Sequence, residues 1–259
     1  NSSSSTVILN NSTISGNTAQ DRGGGIYNSG GGGTATLNNS TVTGNTANSG
    51  GGIAVNDGTV TLRNTIVARN TATSGGPDCF RSISSAGYNL IGNNSGCTFT
   101  PATGDQVGTS ASPINSHLGL LQDNGGPTFT HALLTGSPAI NAGNPLTPGS
   151  GGNACLATDQ RGIARPVGAA CDIGAFEGSV AWTPAPLIQT YTANSTSTLP
   201  GTFLCDQTQS NCTNGSNPDA DAAHRYARDT YNFYANNHNR DSIDNSGMVI
   251  VSSVQFCPT

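Results

Sequence analysis

The amino-acid sequence predicts an all-β protein whose first part is a right-handed parallel β-helix. The first observation is a composition unsuited to an ordinary globular core, with 35 glycines, 9% charged residues and 5% aromatic residues. The second is a repeat at the start of the chain, in which three similar segments begin 28 and 25 residues apart. A chain with few large apolar side chains can still bury a core if it repeats one small unit, because neighbouring coils cover each other.

The repeated segments have the spacing of successive β-helix coils. They read LNNSTISGNTA from Leu9, LNNSTVTGNTA from Leu37 and LRNTIVARNTA from Leu62, and GGGI strings begin between them at Gly23 and Gly50. We expect the leucines to stack as an internal ladder, with Thr and Ser alternating on the outer face. Asparagines also recur in register, since asparagine tolerates left-handed backbone conformations at corners and stacked amides can hydrogen-bond from coil to coil. They are Asn11, Asn39 and Asn64 in one set and Asn17, Asn45 and Asn70 in the other.

Seven cysteines indicate an oxidising compartment. None forms a CxxC string and no histidine stands at metal-ligand spacing to them, which makes zinc an unattractive explanation. Cys257 is left over, and we expect its partner beyond Thr259. Proximity in the sequence suggests the disulfides Cys79–Cys97, Cys155–Cys171 and Cys205–Cys212.

The charge pattern argues against several partners. The formal net charge is only −5, all nine basic residues are arginine, and no basic run occurs, so nothing supports binding to nucleic acid or to an anionic membrane. No apolar stretch reaches the ~18 residues of a membrane span. We expect an export signal upstream of Asn1 and name cell-surface glycans or proteins as partners, with the oligomeric state left open.

Two resemblances cover the first 178 residues. The pairing of GGGI with a hydrophobic-x-x-Asn motif over residues 1–75 resembles the repeats of polymorphic outer-membrane and autotransporter-type β-helices. Residues 76–178 contain GYNLIGNNSGC, LGLLQDNGGPTFTHALLTGSPAINAGN and TDQRGIARPVGAACDIGAFE, and closely resemble the choice-of-anchor Q domain, which caps β-helices in bacterial surface and secreted proteins. The resemblance implies a β-helix continuation with an irregular, disulfide-bearing cap, and a secreted or cell-surface location.

Polar residues of this region are candidates for chemistry, although each also has a structural explanation. Asp21 and Asp57 would be the acids of a carbohydrate-active β-helix enzyme, but Asp57 lies in an Asn-Asp-Gly turn. We predict that the remaining candidates have structural roles, since structural ion pairs also mimic sites. These candidates are His131 with Asp123, Asp159 with Arg161, and the acids Asp172 and Glu177.

The chain changes character after residue 178. Residues 179–186 contain the Trp-Thr-Pro-Ala-Pro string of a short linker, and local signals then predict a helix beginning near Pro218, with Asn217 as its cap. Residues 187–259 contain, in order, the motifs Leu199-Pro200-Gly201, Asp221 to His224, Thr230 to Tyr234 and Asn239 to Ser242. With these motifs the segment closely resembles the early part of the catalytic domain of thermolysin-family zinc metallopeptidases. The resemblance implies a small, incomplete α+β tail.

The sequence lacks the chemistry that this family uses. The family needs HExxH on a helix, with two histidines as zinc ligands and the glutamate activating water. The four histidines include no pair at this spacing, and the one glutamate, Glu177, lies before the tail. We therefore name no catalytic or cofactor-binding residue and expect zinc and calcium only in a full-length peptidase. Asp206 is a weak calcium candidate, and His224 is expected to pack the helix.

Three functions follow. The first is a fragment of a secreted or cell-surface protein, in which a β-helix module is fused to the start of a zinc metalloendopeptidase domain and this chain alone is inactive. The second is a structural or glycan-binding β-helix module without enzymatic activity. The third, and least supported, is a carbohydrate-active β-helix enzyme.

Overall fold

The computed structural model of the chain describes residues 5–29, 31–180, 188–192, 202–206, 213, 218–227 and 250–254. The chain forms two compact units, Asn1–Trp182 and Thr183–Thr259. The finer division at residues 75, 178 and 186 stays a prediction.

A long parallel sheet carries the leucine ladder of the first unit. Its strands Thr6–Asn10 (β1), Thr34–Asn38 (β4), Thr59–Arg63 (β8) and Cys79–Ser85 (β11) are adjacent in that order. Leu9 pairs with Leu37, and Leu37 pairs with Leu62. Leu37 and Leu62 are fully buried, and Leu9 packs against the same apolar cluster inside the coils. The register therefore places the repeated leucines on the inner side of successive coils.

Three shorter parallel sheets complete the coils. The second sheet contains Thr13–Ser15 (β2), Thr41–Thr43 (β5), Ile66–Ala68 (β9), Leu90–Ile91 (β12) and Gln106–Val107 (β14). The third contains Ile26–Asn28 (β3), Ile53–Val55 (β7) and the start of β11, and the fourth contains Thr46–Ser49 (β6) and Thr71–Gly75 (β10). Cys97–Phe99 (β13) pairs with β11. Together these sheets form a parallel β-solenoid of about three turns, which confirms the predicted fold class.

The corners use residues that accept a left-handed backbone. Asn11, Asn39 and Asn64 have φ values of 46°, 42° and 48°, because the chain turns between the first and second sheets at these positions. Gly50 has φ 64° at the start of a GGGI string. A Cβ atom there would lie 2.7 Å from the carbonyl oxygen of Ile53, so glycine is required by both the backbone conformation and the available space.

The irregular segment after the coils lies along their side. Leu118–Gln122 (β15) pairs in antiparallel fashion with Thr130–Leu134 (β16), and Ser179–Val180 (β17) is parallel to β16. Residues 115–178, here called the cover, pack on the outer face of the second sheet. The apolar residues buried at this contact include Ile66 and Leu90 from the coils and Leu118, Leu133, Ile173 and Phe176 from the cover.

Hydrogen bonds show that the cover runs back along the coils. Gln106 in β14 donates its amide to the Pro138 carbonyl at 2.7 Å. Further along the cover, the backbone N–H of Asn144 donates to Asn64 Oδ1 and that of Leu156 to Asn39 Oδ1, both at 2.9 Å. The Thr158 carbonyl accepts from Asn11 Nδ2 at 2.8 Å. The corner asparagines therefore hold the cover to three successive coils.

The second unit contains a small sheet and a helix. Ile188–Thr192 (β18) pairs in antiparallel fashion with Thr202–Asp206 (β19) and in parallel with Ile250–Val254 (β20). Residues 218–227 are helical, which places a helix where the sequence predicts one. The unit therefore has the α+β character expected of the tail.

Candidate functional site

A ladder of side-chain amides runs between the coils of the first unit, and its members Asn45 and Asn70 are buried. Asn45 Oδ1 accepts from Asn17 N at 3.0 Å and from Asn17 Nδ2 at 2.9 Å. Asn70 Oδ1 accepts from the same two groups of Asn45, both at 3.0 Å. Asp78 Oδ1 then accepts from Asn70 N and Nδ2 at 3.0 and 2.9 Å. Each side-chain oxygen thus satisfies two donors of the preceding coil, and the last acceptor is a carboxylate.

Asp78 ends this ladder because it accepts on both oxygens. Its Oδ2 accepts a hydrogen bond from Asn93 N at 2.7 Å. An asparagine at this position would place its NH2 group there, opposite another N–H donor. Asp78 occupies the position in its coil that Gly52 occupies in the preceding coil. A Cβ atom on Gly52 would lie 2.7 Å from Asn70 Nδ2, so a side chain at that position would collide with the ladder. The change from GGGI to GGPDC is the sequence signal for this ladder end, which was not among the predictions from the sequence.

The Asp78 carboxyl borders a small pocket of about 230 Å³. Burial raises its pKa to about 6, although the hydrogen bonds from Asn70 and Asn93 oppose that shift. Burial also lowers the pKa of Arg69, whose Nη1 donates to the Leu118 carbonyl at 2.8 Å. Because Asp78 accepts three N–H donors, it is not poised as a general base. The other residues that line the pocket are Pro77, Gly92, Pro113 and Ile114.

A second ladder ends in the same way. Backbone N–H groups of Ser12, Ser40 and Thr65 donate to the side-chain oxygen of the equivalent residue in the next coil, and the last of these is Asn89 Oδ1. Asp105 Oδ1 accepts from Asn89 N at 2.8 Å and Nδ2 at 3.0 Å, and its Oδ2 accepts from Ala102 N. Two aspartates thus complete the inter-coil hydrogen bonding at one end of the solenoid.

The cover contains a dense polar cluster. Asp159 Oδ2 accepts from Arg161 Nε at 2.9 Å and Nη2 at 2.7 Å, and the Arg161 guanidinium lies 3.5 Å from the Phe176 ring centroid. Arg165 forms an ion pair with Glu177, and both side chains are completely buried. Glu177 also accepts from the backbone N–H groups of Val167 and Asp172.

Asp172 belongs to the same cluster. Burial raises its pKa to about 6, and its two oxygens accept from Asn141 N and Gly178 N, each at 2.6 Å. Every carboxylate of the cluster is thus occupied by donors of the protein itself. The arrangement stabilises the irregular chain of the cover and leaves no carboxylate oxygen directed at a substrate.

The remaining sequence candidates of the first unit are held by local contacts. His131 bonds to Ser15 Oγ at 2.8 Å and to the Gly119 carbonyl at 2.7 Å, and burial lowers its pKa. Asp123 accepts instead from Gly125 N in its turn. Asp57 accepts from Gly31 N and Gly58 N, and exposed Asp21 lies 3.8 Å from Arg22 Nε. The structure therefore does not bring His131 and Asp123 together as a pair.

The cysteines form cross-links in both units. Disulfides join Cys79 to Cys97 and Cys155 to Cys171, with Cα atoms 5.4 and 6.6 Å apart. Cys205 in the second unit is also disulfide-bonded. Cys212, its predicted partner, lies outside the described residues, as does Cys257.

The helix of the second unit directs His224 at the sheet. His224 is completely buried, and its Nδ1 lies 3.1 Å from Thr190 Oγ1 in β18 and 3.3 Å from Cys205 Sγ in β19. One turn earlier, Asp221 Oδ1 accepts from Thr213 N at 2.7 Å. His224 thus connects the helix to two strands.

Metal sites are not found in the described part of the chain. No group of three or more His, Cys, Asp or Glu residues there could hold a metal ion. Asp206 ends β19, its side chain lies outside the described residues, and its calcium assignment stays a prediction. Among the described residues, no helix has the length and apolarity needed to cross a membrane.

Comparison with known proteins concerns the last third of the chain, which includes the second unit. Residues 175–258 match the family described as thermolysin metallopeptidase, catalytic domain. Bacillolysin of Brevibacillus brevis is 44% identical to this chain over 69 residues, which is 27% of this chain and 12% of that protein. The chain thus spans about an eighth of the length of this curated relative. No solved structure matches the chain.

Proposed function

We propose that this chain joins a secreted, structural β-solenoid module to the N-terminal segment of a zinc metalloendopeptidase domain. The observation that supports the proposal is the match of residues 175–258 to the thermolysin catalytic domain. The finer assignments, polymorphic outer-membrane-type repeats over residues 1–75 and a choice-of-anchor Q domain over 76–178, imply display at a bacterial cell surface. The disulfides agree with an extracellular location.

Zinc does not fit the residues of this chain. The sequence contains no HExxH string and a single glutamate, Glu177, which is buried in an ion pair with Arg165 in the other unit. In this proposal, water activation and peptide hydrolysis belong to residues that are not among these 259. In this proposal the helix over residues 218–227 and its strands are part of the scaffold, and His224 is a packing residue.

The test uses the coding sequence that follows Thr259. We expect an HExxH string there, and we expect the longer protein to hydrolyse casein in a reaction that 1,10-phenanthroline abolishes. The matched control replaces the glutamate of HExxH by glutamine and should be inactive. The 259-residue chain itself should not hydrolyse casein with zinc and calcium present. A longer coding sequence without HExxH, or hydrolysis by the 259-residue chain, would contradict the proposal.

A second function is supported by the polar outer surface of the coils. On the outer face of the first sheet, Thr34 Oγ1 donates to Thr6 Oγ1 at 3.1 Å and Asn38 Nδ2 donates to Asn10 Oδ1 at 2.7 Å. Such rows repeat the same hydrogen-bonding groups at the spacing of adjacent strands, about 4.8 Å. A repeating polymer such as a glycan can match that spacing, so we propose surface binding as an additional role of the module. Carbohydrate cleavage is less well supported, because Asp57 accepts from two backbone groups of its turn.

A further inference from the structure

The outer face of the third sheet carries two aromatic rings in one row. Tyr27 in β3 pairs with Ala54 in β7, and Ala54 pairs with Phe80 in β11, so the three side chains point to the same side of the sheet. The inward neighbours Ile26, Ile53 and Cys79 belong to the apolar cluster inside the coils, which places this row outside. Tyr27 and Phe80 stand two strands apart, or roughly 9–10 Å. Both are partly exposed, whereas Ala54 between them is completely covered.

Two arginines frame the Phe80 ring. The guanidinium carbons of Arg22 and Arg81 lie 5.9 and 5.8 Å from the ring centroid. Both guanidinium groups donate to Asn56 Oδ1, at 3.2 Å from Arg22 and 2.8 Å from Arg81. The shared amide oxygen holds the two cations beside the ring. The aromatic row, the arginines and Asn56 thus form one surface, here called the platform: Arg22, Tyr27, Asn56, Phe80 and Arg81.

The charge of the platform is unbalanced. Asp21 lies 3.8 Å from Arg22 and partly offsets its charge. Among the described residues, Arg81 forms no ion pair with a carboxylate, and its side chain is exposed. An exposed guanidinium retains N–H donors in a planar fork that suits a carboxylate. A partner should therefore combine a flat apolar face with negative charge.

We propose that the platform binds an extended acidic polysaccharide whose sugar rings carry carboxylates. The C–H faces of pyranose rings pack on aromatic rings, and a polymer lying across the coils can place alternate sugar rings on Tyr27 and Phe80. The carboxylates of the polymer then accept hydrogen bonds from Arg81 and Arg22. The inference rests on the surface-binding role proposed above and is independent of the peptidase proposal.

Binding to polygalacturonate, measured by isothermal titration calorimetry on the full chain, tests the proposal. Methyl-esterified polygalacturonate is the matched neutral ligand, since it keeps the sugar rings and removes the charge. We expect the acidic polymer to bind about tenfold more tightly than its ester, and we expect this preference to shrink as salt is added. Absence of binding, or equal affinity for the two polymers, would overturn the proposal.

Variants locate the binding on the platform. Phe80→Ala should weaken binding to both polymers by up to about tenfold, because ring stacking is lost. Arg81→Gln should reduce the preference for the acidic polymer, because only Arg22 then remains to bind carboxylates, and it should leave binding to the ester in place. Phe129→Ala is the control, since Phe129 is an exposed aromatic residue of the cover. Equal losses in Phe80→Ala and Phe129→Ala would refute the site, and far-UV circular dichroism with melting temperatures verifies that each variant is folded.

Discussion

Replacement of Asp78 by asparagine should change how the stability of the solenoid depends on pH. Burial raises the pKa of the Asp78 carboxyl from 3.8 to about 6 in the folded protein. Between about pH 4 and pH 6 the folded state therefore binds more protons at this position than the unfolded state does. The free energy of unfolding should fall as pH rises through this window. A shift of about 2 pKa units corresponds to about 3 kcal/mol.

The comparison with Asp78→Asn isolates this contribution. The variant loses the acceptor for Asn93 N, but this loss is the same at every pH because asparagine does not titrate. Asp172, whose pKa is also raised to about 6 by burial, is present in both proteins and cancels. The stability of the native protein minus that of the variant should therefore fall by about 2 kcal/mol from pH 4 to pH 7, since the unfolded-state carboxyl is already partly ionised at pH 4.

Urea unfolding followed by far-UV circular dichroism at several pH values between 4 and 7 measures this difference. The disulfides must remain oxidised, so that both proteins unfold from the same cross-linked state. A stability difference that is constant across the pH range would refute the assignment of a raised pKa to Asp78. A difference that grows with pH would show that the carboxylate, not the acid, is favoured by folding.

Further substitutions test the ladder, the buried ion pair and the cross-link by urea unfolding. Asn45→Ala should lower the free energy of unfolding by about 2–3 kcal/mol, because it leaves hydrogen-bonding groups of both neighbouring coils without a partner. Asn48→Ala on the outer side should change it by less than about 0.5 kcal/mol. Equal effects of the two substitutions would argue against the ladder. Glu177→Gln should cost about 3 kcal/mol or more, since it leaves the buried guanidinium of Arg165 without its charge partner, and a loss under 1 kcal/mol would contradict that reading. Replacing both cysteines of Cys155–Cys171 by serine should cost about 3 kcal/mol, and an unchanged unfolding midpoint would exclude a stabilising role.

The coils could be predicted from the sequence because their contacts are periodic. Leu9, Leu37 and Leu62 recur at one coil spacing, and the register pairs them directly. The corner asparagines Asn39 and Asn64 follow from the same periodicity together with the tolerance of asparagine for positive φ. Any contact that repeats between equivalent positions of adjacent coils can be read in this way.

The path of the cover could not be predicted, since its contacts are not periodic. The backbone N–H of Leu156 donates to Asn39 Oδ1, which lies 117 positions earlier in the sequence. No local sequence pattern indicates which corner asparagine it contacts. Asp78 was missed for a related reason. It appears where the repeat breaks, at the change from GGGI to GGPDC, and the three-dimensional register shows that it occupies the position of Gly52 in the next coil. The aromatic row of the platform was also missed, because Tyr27 and Phe80 lie two coils apart.

The outer faces of the second and third sheets differ because their outward residues need different surroundings. On the second sheet, Ile66 and Leu90 point outward and would expose apolar surface, so the chain covers them with Leu133 and Ile173. On the third sheet, the outward row contains rings and arginines, which combine apolar surface with groups that water can solvate. Such a row can remain in contact with water and does not have to be buried by another segment of the chain. The choice of outward residue on each sheet thus determines whether this chain buries a face itself or keeps it available to a partner.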